Sequence, residues 1–360
     1  MTAADQTETP DTFSLIQTLT ELPGPVGNET AVQDWIHARW RGFAAEVRRT
    51  RVDNVLARIG GSGEKLLILA HADEICYVVR SISEDGFVHI GPYHADAAGR
   101  PQRTMMPLNQ PAAIITSKGI VEGVFATASG HVVSQAQRAE FKWEWHEWWI
   151  ELGLSSKAEV EALGVHPGCK VIWNPKTRRL GPNLISGKAM DDRAALAIAT
   201  LAGERLAGRD DLRFEVWIGS SVQEENGLIG AASIIDAIEV DRCIALDVGL
   251  TGDTPGADTR FLPGKLGAGP IVVYSDSSVH YTWRFCEDLV ATARANEIPV
   301  QQAAFQNYGS DGSQLMRRGA AAALLTYPTR YTHSPVETID ERDIEACVDL
   351  LVAYATARPA

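Results

Sequence analysis

Two adjacent glutamates, Glu224 and Glu225, close the strand-like run RFEVWIGSSVQ. Like charges held that close raise each other's pKa, so the pair costs stability unless something positive lies nearby. Four other segments end in comparable groups. KLLILA runs into His71 and Asp73, ISGKAM into Asp191 and Asp192, CIAL into Asp247, and the last strand-like region into TRYTHSP with His333. Carboxylate oxygen and neutral imidazole are ligands that zinc, cobalt and manganese accept. Two divalent cations would also offset the repulsion among these acids. Each piece alone has an ordinary reading. A single histidine is commonly structural, acids such as Asp191 and Asp192 suit the start of a helix, and Glu-Glu-Asn suits a solvated turn. Convergence of all five segments is the argument for a metal centre.

For these groups to meet, the elements before them must end at one edge. In open α/β sheets, ligands bind beyond the carboxyl ends of the strands. The unbroken apolar run of KLLILA suits a strand buried on both faces. Helical patterns cover TFSLIQTLTEL and ETAVQDWIHARWRGF, separated by PGPVGN. Later helices, in DDRAALAIATLAGERLAG, VHYTWRFCEDLVATARAN and DERDIEACVDLLVAYATA, alternate with the strands RFEVWIGSS, RCIALDVG, GPIVVYS and AAAALLTYP. That alternation predicts a mainly parallel sheet flanked by helices. From residue 75 to 182 the texture is different: short β-like pieces (YVVRSI, GFVHIG, AAIITS, GIVEGVF, KVIWN) divided by turns. The expected organisation is an α/β catalytic domain, residues 1–74 and 183–360, interrupted by a small all-β domain at 75–182.

The bulk composition is that of a soluble globular chain of 360 residues, 45% hydrophobic and 22% charged. No apolar run is long enough to span a membrane. The formal net charge of −13 and the lack of a basic run disfavour nucleic acid. The polar opening MTAADQTETPDT reads as a disordered lead-in without signal-peptide character. Five scattered cysteines with no CxxC pair point to a reducing compartment, hence a cytoplasmic protein. His94 is a candidate for the mouth of the site. FKWEWHEWWIEL, with four of the nine tryptophans, reads either as core of the β domain or as an aromatic anchor at a subunit interface.

The pieces AHADEI, ISGKAMDDRAALA, VQEENGLIGA, ALDVGLTGDTPG and YTHSPVET resemble, in matching order, the M42 metallo-aminopeptidases, a dimetal family of the zinc-exopeptidase group. LGLSSKAEVEALGVHPGCKV is similar to the end of that family's inserted β domain. The likeness extends from about residue 12 to the C-terminus. It implies two divalent ions, zinc or cobalt first and manganese as a third option. Asp191 would bridge them, His71 and Asp247 would complete one, and Glu225 and His333 the other. Asp73 would accept the second N–H of His71 and fix its tautomer, and Glu224 would stay uncoordinated as the general base. The family's inserted domain mediates dimers that build hollow dodecamers, so a homo-oligomer is implied. YGSDGSQL is similar to a family loop on the substrate side, which makes Asp311 a further candidate.

Three departures stand beside the likeness. Ala72 and Cys76 replace a common methionine and glycine, and the loop GRPQRTMMPLNQ differs from the family's usual wording. The expected activity is removal of N-terminal residues from peptides. The rivals are a dimetal carboxypeptidase or N-acyl deacylase, which recognise another substrate end, and a non-catalytic assembly subunit that keeps the fold.

Overall fold

The computed structural model describes residues 11–93, 108–136 and 144–356. Helix α1 (Thr12–Glu21) starts where the Asp11 side chain accepts the Ser14 N–H, 2.7 Å. Helix α2 (Thr30–Trp40) buries Val32, Ile36 and Trp40, one every four residues. Strands β1 (Glu46–Arg49), β2 (Val55–Gly60) and β3 (Lys65–His71) follow. The chain then forms β4 (Tyr77–Ile82), β5 (Val88–Pro92), β6 (Pro111–Thr116), β7 (Gly119–Ala126), β8 (Trp149–Glu151), the short helix α3 (Lys157–Ala162) and β9 (Lys170–Trp173). After β10 (Arg178–Leu180) and β11 (Leu184–Gly187) come α4 (Met190–Leu206), β12 (Glu215–Ser221), α5 (Ile229–Ile234) and β13 (Arg242–Leu250). The last elements are β14 (Ile271–Val273), α6 (Trp283–Ala295), β15 (Gln301–Ala303), α7 (Gly312–Arg317), β16 (Ala321–Arg330), β17 (Glu337–Asp340) and α8 (Glu341–Thr356).

Two units of sheet result. An eleven-stranded sheet runs β1-β2-β12-β3-β13-β16-β17-β11-β10, with β14 and β15 paired beside β16. Strands β4-β5-β8-β7-β6-β9 close into a separate barrel. The chain is therefore α/β with a mixed sheet, and the expected parallel character belongs to its centre. The four central strands β12, β3, β13 and β16 are parallel, whereas β1, β2, β17, β11 and β10 join antiparallel. Loop length is the reason. Parallel neighbours need a long crossover, while the few residues between β1 and β2, or β10 and β11, permit only a reversal. The edge strands are short and polar, without the apolar runs that announce a strand.

Helix α4 is the centre of the packing. Its run of Ala194, Ala195, Ala197, Ala199 and Ala202 is fully buried, and the small side chains let it lie close against β3, α1 and α8. Trp40 reaches it from α2 and donates its indole N–H to the Thr200 hydroxyl, 2.9 Å. In the barrel, Trp148 is fully buried and packs edge-on to Trp145, which in turn meets Tyr77. Trp148 is thus barrel core with Trp145 half-buried against it, Trp149 is half-buried beside Phe87, and Trp143 lies outside the described residues.

A buried ionic knot ties the start of α4 to the end of β3. The Lys188 ammonium donates to both Glu74 oxygens at 2.8 Å, and Glu74 also takes the Gly24 N–H at 3.1 Å. Arg193 adds a contact to Glu74 at 3.4 Å and donates to the carbonyls of Leu19, Leu22, Gly24 and Ala72. All three side chains are shut off from water. Removing one partner strands a charge, which costs about 3–5 kcal/mol. Lys188→Met is therefore expected to lower the unfolding free energy by that order in a denaturant titration. The double variant Glu74→Gln, Lys188→Met should not recover the loss, because it leaves the buried Arg193 guanidinium without its carboxylate. A Lys188→Met loss under about 1 kcal/mol would contradict the assignment.

Candidate metal centre

The groups singled out in the sequence meet at one edge of the large sheet. His71 ends β3, Asp247 lies near the end of β13, Glu224 and Glu225 follow β12, and His333 follows β16. These are the four parallel strands, so their carboxyl ends face the same way. Asp191 arrives from the side, at the irregular start of α4, where Asp191 and Asp192 have non-helical dihedrals. The peptide between them is cis.

The geometry divides the ligand atoms into two groups. His71, Asp191, Asp192 and Asp247 bring their ligand atoms within 4.8 Å of one another, and so do Asp191, Glu225 and His333. Asp191 belongs to both. One of its oxygens lies 3.2 Å from His71 Nε2 and the other 3.3 Å from His333 Nε2, which is also 3.1 Å from Glu225. Asp192 is engaged elsewhere: it accepts the His71 backbone N–H at 3.1 Å and the Tyr327 hydroxyl at 2.7 Å. Glu224 belongs to neither group, although it lines the same cleft.

Charge explains why these residues fit a pair of cations. Asp73, Asp191, Asp192, Glu224, Asp247 and Glu337 are all buried, and among the described residues none forms an ion pair with lysine or arginine. Burial, then the neighbouring Asp191, pushes Asp247 up to about 8. Burial, with Asp247, Asp311 and Glu225 adding, holds Glu224 well above the ordinary glutamate range. Asp192 and Glu337 are raised for the same first reason. Asp191 goes the other way: burial opposes its ionisation, but hydrogen bonds from His333 and His71 hold it below the usual range. So much buried acid beside two imidazoles is the donor set of divalent zinc, cobalt or manganese. Such ions would supply the missing positive charge.

A further layer of carboxylates grips the backbone under the ligands. Glu337 accepts the N–H of Asp191 through one oxygen and that of His333 through the other, both at 2.9 Å. Asp73 does the same for Glu224 and Glu225, at 2.9 and 3.0 Å. Glu29 takes the Gln223 N–H at 3.2 Å. Three consecutive amides before and within the glutamate pair are thus held by two side chains. The segments need holding, because Gln223 and His333 have φ of 52° and 58°. That left-handed region costs a non-glycine residue about 1–2 kcal/mol. Asp73 also stands 3.4 Å from His71 Nδ1, leaving Nε2 to face Asp191.

Glu29 and the clamping role of Glu337 were not among the sequence candidates. Glu337 carries a signal, four residues after His333 in YTHSPVET, whereas Glu29 carries none. Asp311 is buried beneath the cluster, where an oxygen accepts the Ser221 hydroxyl, and it is its loop neighbours Asn307, Tyr308 and Gly309 that line the cleft. Cys76 is buried, with its thiol pushed up to about 12 by desolvation, so it behaves as a small apolar group. Ala72 is buried too and is not a cleft residue. His94 and most of GRPQRTMMPLNQ lie outside the described residues.

Three comparisons bear on this arrangement. The chain is 30% identical to a lysyl aminopeptidase of Pyrococcus furiosus, over 95% of its own length and 96% of the relative's. Its fold superposes on the crystal structure of a TET aminopeptidase from the marine sediment archaeon Thaumarchaeota archaeon SCGC AB-539-E09, with a TM-score of 0.89, 26% identity and 96% coverage of each chain. It also matches the TET1 peptidase of Pyrococcus horikoshii, described as assembling into a tetrahedron or a large octahedral shell, with a TM-score of 0.84, 25% identity and coverage of 96% and 99%. The family model for M42 glutamyl aminopeptidase matches residues 53–350, and with that span the chain belongs to the M42 peptidase family.

Proposed function

We propose that the chain is a metal-dependent aminopeptidase that hydrolyses N-terminal residues from peptides. The observation that carries this reading is the pair of ligand groups sharing Asp191, with Glu224 as the one carboxylate among the described residues lining the cleft that belongs to neither. His71, Asp191 and Asp247 would hold one divalent ion, and Asp191, Glu225 and His333 the other, with zinc or cobalt favoured and manganese a third choice. Bound there, the ions supply an acidified water and polarise the scissile carbonyl. Glu224 takes the proton of the attacking water and returns it to the leaving amine. Burial and the acids around it raise the Glu224 pKa, the direction that favours its taking up a proton. Asp73 sets the glutamate pair through their backbone amides and turns His71 Nε2 toward Asp191.

The related carboxypeptidase reading needs an arginine or lysine for a substrate α-carboxylate. Among the described residues lining the cleft there is none. We further propose the division 1–74, 75–182 and 183–360, with the barrel as the inserted unit through which copies of the chain associate, as a dimer or a dodecamer. The short strand β10 already pairs on the large sheet within that middle span. No helix among the described residues is long and apolar enough to cross a membrane, which accords with a place in the cytoplasm.

Aminoacyl-p-nitroanilides with a free amine should be turned over by the metal-loaded chain, and their N-acetylated forms should not. The reverse pattern would favour the deacylase. Glu224→Gln should lower kcat by about 10²–10⁴-fold while leaving bound metal and thermal midpoint close to the parent's. Loss of metal together with activity would instead make Glu224 a ligand. Glu337→Gln puts an amide NH2 against one of two backbone N–H donors. It is expected to weaken metal binding by about 10–100-fold, read by competition with a chromophoric chelator.

A further inference from the structure

The walls of the cleft bear on which N-terminal residue it takes. The cavity is about 560 Å³, and among the described residues every charged group lining it already has a task in the proposed mechanism: Asp191, Glu225, Asp247 and His333 as ligands, Glu224 as base. The remaining lining residues are Gly227, Leu228, Val248, Leu250, Asn307, Tyr308, Gly309 and Thr332, all of them uncharged. Leu228 and Leu250 are only half-buried, so they present apolar surface to whatever enters. Tyr308 donates its hydroxyl to the Val248 carbonyl at 2.8 Å, which leaves its ring as the surface it can offer. The cation nearest in sequence to this wall, Arg330, lies two residues before Thr332. It is locked in a two-pronged pair with Asp253 at 3.0 and 2.7 Å.

We infer that this cleft selects peptides whose N-terminal side chain is uncharged and apolar, aliphatic or aromatic, with Leu228 and Leu250 as the selecting wall. The inference rests on the aminopeptidase reading and adds the substrate class. It sets the chain apart from the specificities in the names of its family model and its relative, glutamyl and lysyl. A glutamyl side chain entering here would be desolvated with no lysine or arginine among the described lining residues to meet it. A lysyl side chain would find only carboxylates that the ions and the proton transfer already use. Either charge buried without a partner is strongly disfavoured. An apolar chain replaces water on two leucines and a tyrosine ring, and contacts of that kind discriminate by about 10–200-fold.

The test is kcat/KM of the metal-loaded chain for the p-nitroanilides of leucine, methionine, phenylalanine, glutamate and lysine. A parallel thermal-shift series uses the free amino acids as ligands. Leucine, methionine or phenylalanine should exceed both charged substrates by about 10–200-fold, and the same order should appear in the thermal shifts. Leu250→Arg should raise the glutamyl rate relative to the leucyl rate. Leu250→Ala, a milder change, should lower leucyl kcat/KM by about tenfold without improving the glutamyl substrate. Equal or better turnover of glutamyl or lysyl substrate overturns the inference and leaves the aminopeptidase reading standing. No turnover of any free-amine substrate overturns that reading instead. In that case the thermal shifts still decide the inference: stabilisation by glutamate or lysine at least equal to that by leucine defeats it.

Discussion

An excess of buried negative charge is the constraint on which the rest of this structure depends. Six carboxylates converge at the carboxyl edge of one sheet, out of water and without a lysine or arginine salt bridge among the described residues. Left alone, such a cluster must hold protons, which is the direction in which Asp192, Glu224, Asp247 and Glu337 are pushed. Two divalent cations would remove the conflict and turn it into affinity. The site then has a reason to stay assembled in a fold whose total stability is only of the order of 5–15 kcal/mol.

Assembly of the cluster is a matter of backbone control. Four parallel strands bring ligand-bearing loops to one edge, and three carboxylates, Asp73, Asp192 and Glu337, hold the backbone amides of His71, Asp191, Glu224, Glu225 and His333. Each of these acids serves twice, as an acceptor for the chain and as part of the field around the ligands. The knot of Glu74, Lys188 and Arg193 fixes the start of α4 against the end of β3, and so fixes Asp191 relative to His71. By this account, changes that never touch an ion still move the ligands.

Much of the fold and most of the candidate site could be read in the sequence because burial on two faces leaves a plain mark. The strands β3, β13 and β16 are built on apolar runs, and a group that can bind metal ends β3 (His71), interrupts β13 (Asp247) or follows β16 (His333). The edge strands carry no such mark. β1 and β10 at the two edges, like β17 between β16 and β11, are three or four residues long, and what makes them strands is the neighbour they pair with, which is why a mixed sheet reads as a parallel one. Glu29 was hidden for a similar reason, since its partner Gln223 is 194 positions away and only the folded chain brings them together. The tryptophans show another limit: composition gave both a core and an interface reading, and the contacts put Trp148 in the barrel core with Trp145 half-buried against it, while Trp149 is half-buried beside Phe87.

The most direct test of the central claim is a calorimetric titration of metal-stripped protein with zinc, run in two buffers of different ionisation enthalpy so that released protons are counted. The account predicts two equivalents per chain, with protons displaced from the carboxylate cluster as the ions enter. In Asp191→Asn the stoichiometry should fall below two. Absence of binding by a folded, stripped chain would contradict it, and so would two equivalents bound equally well without Asp191.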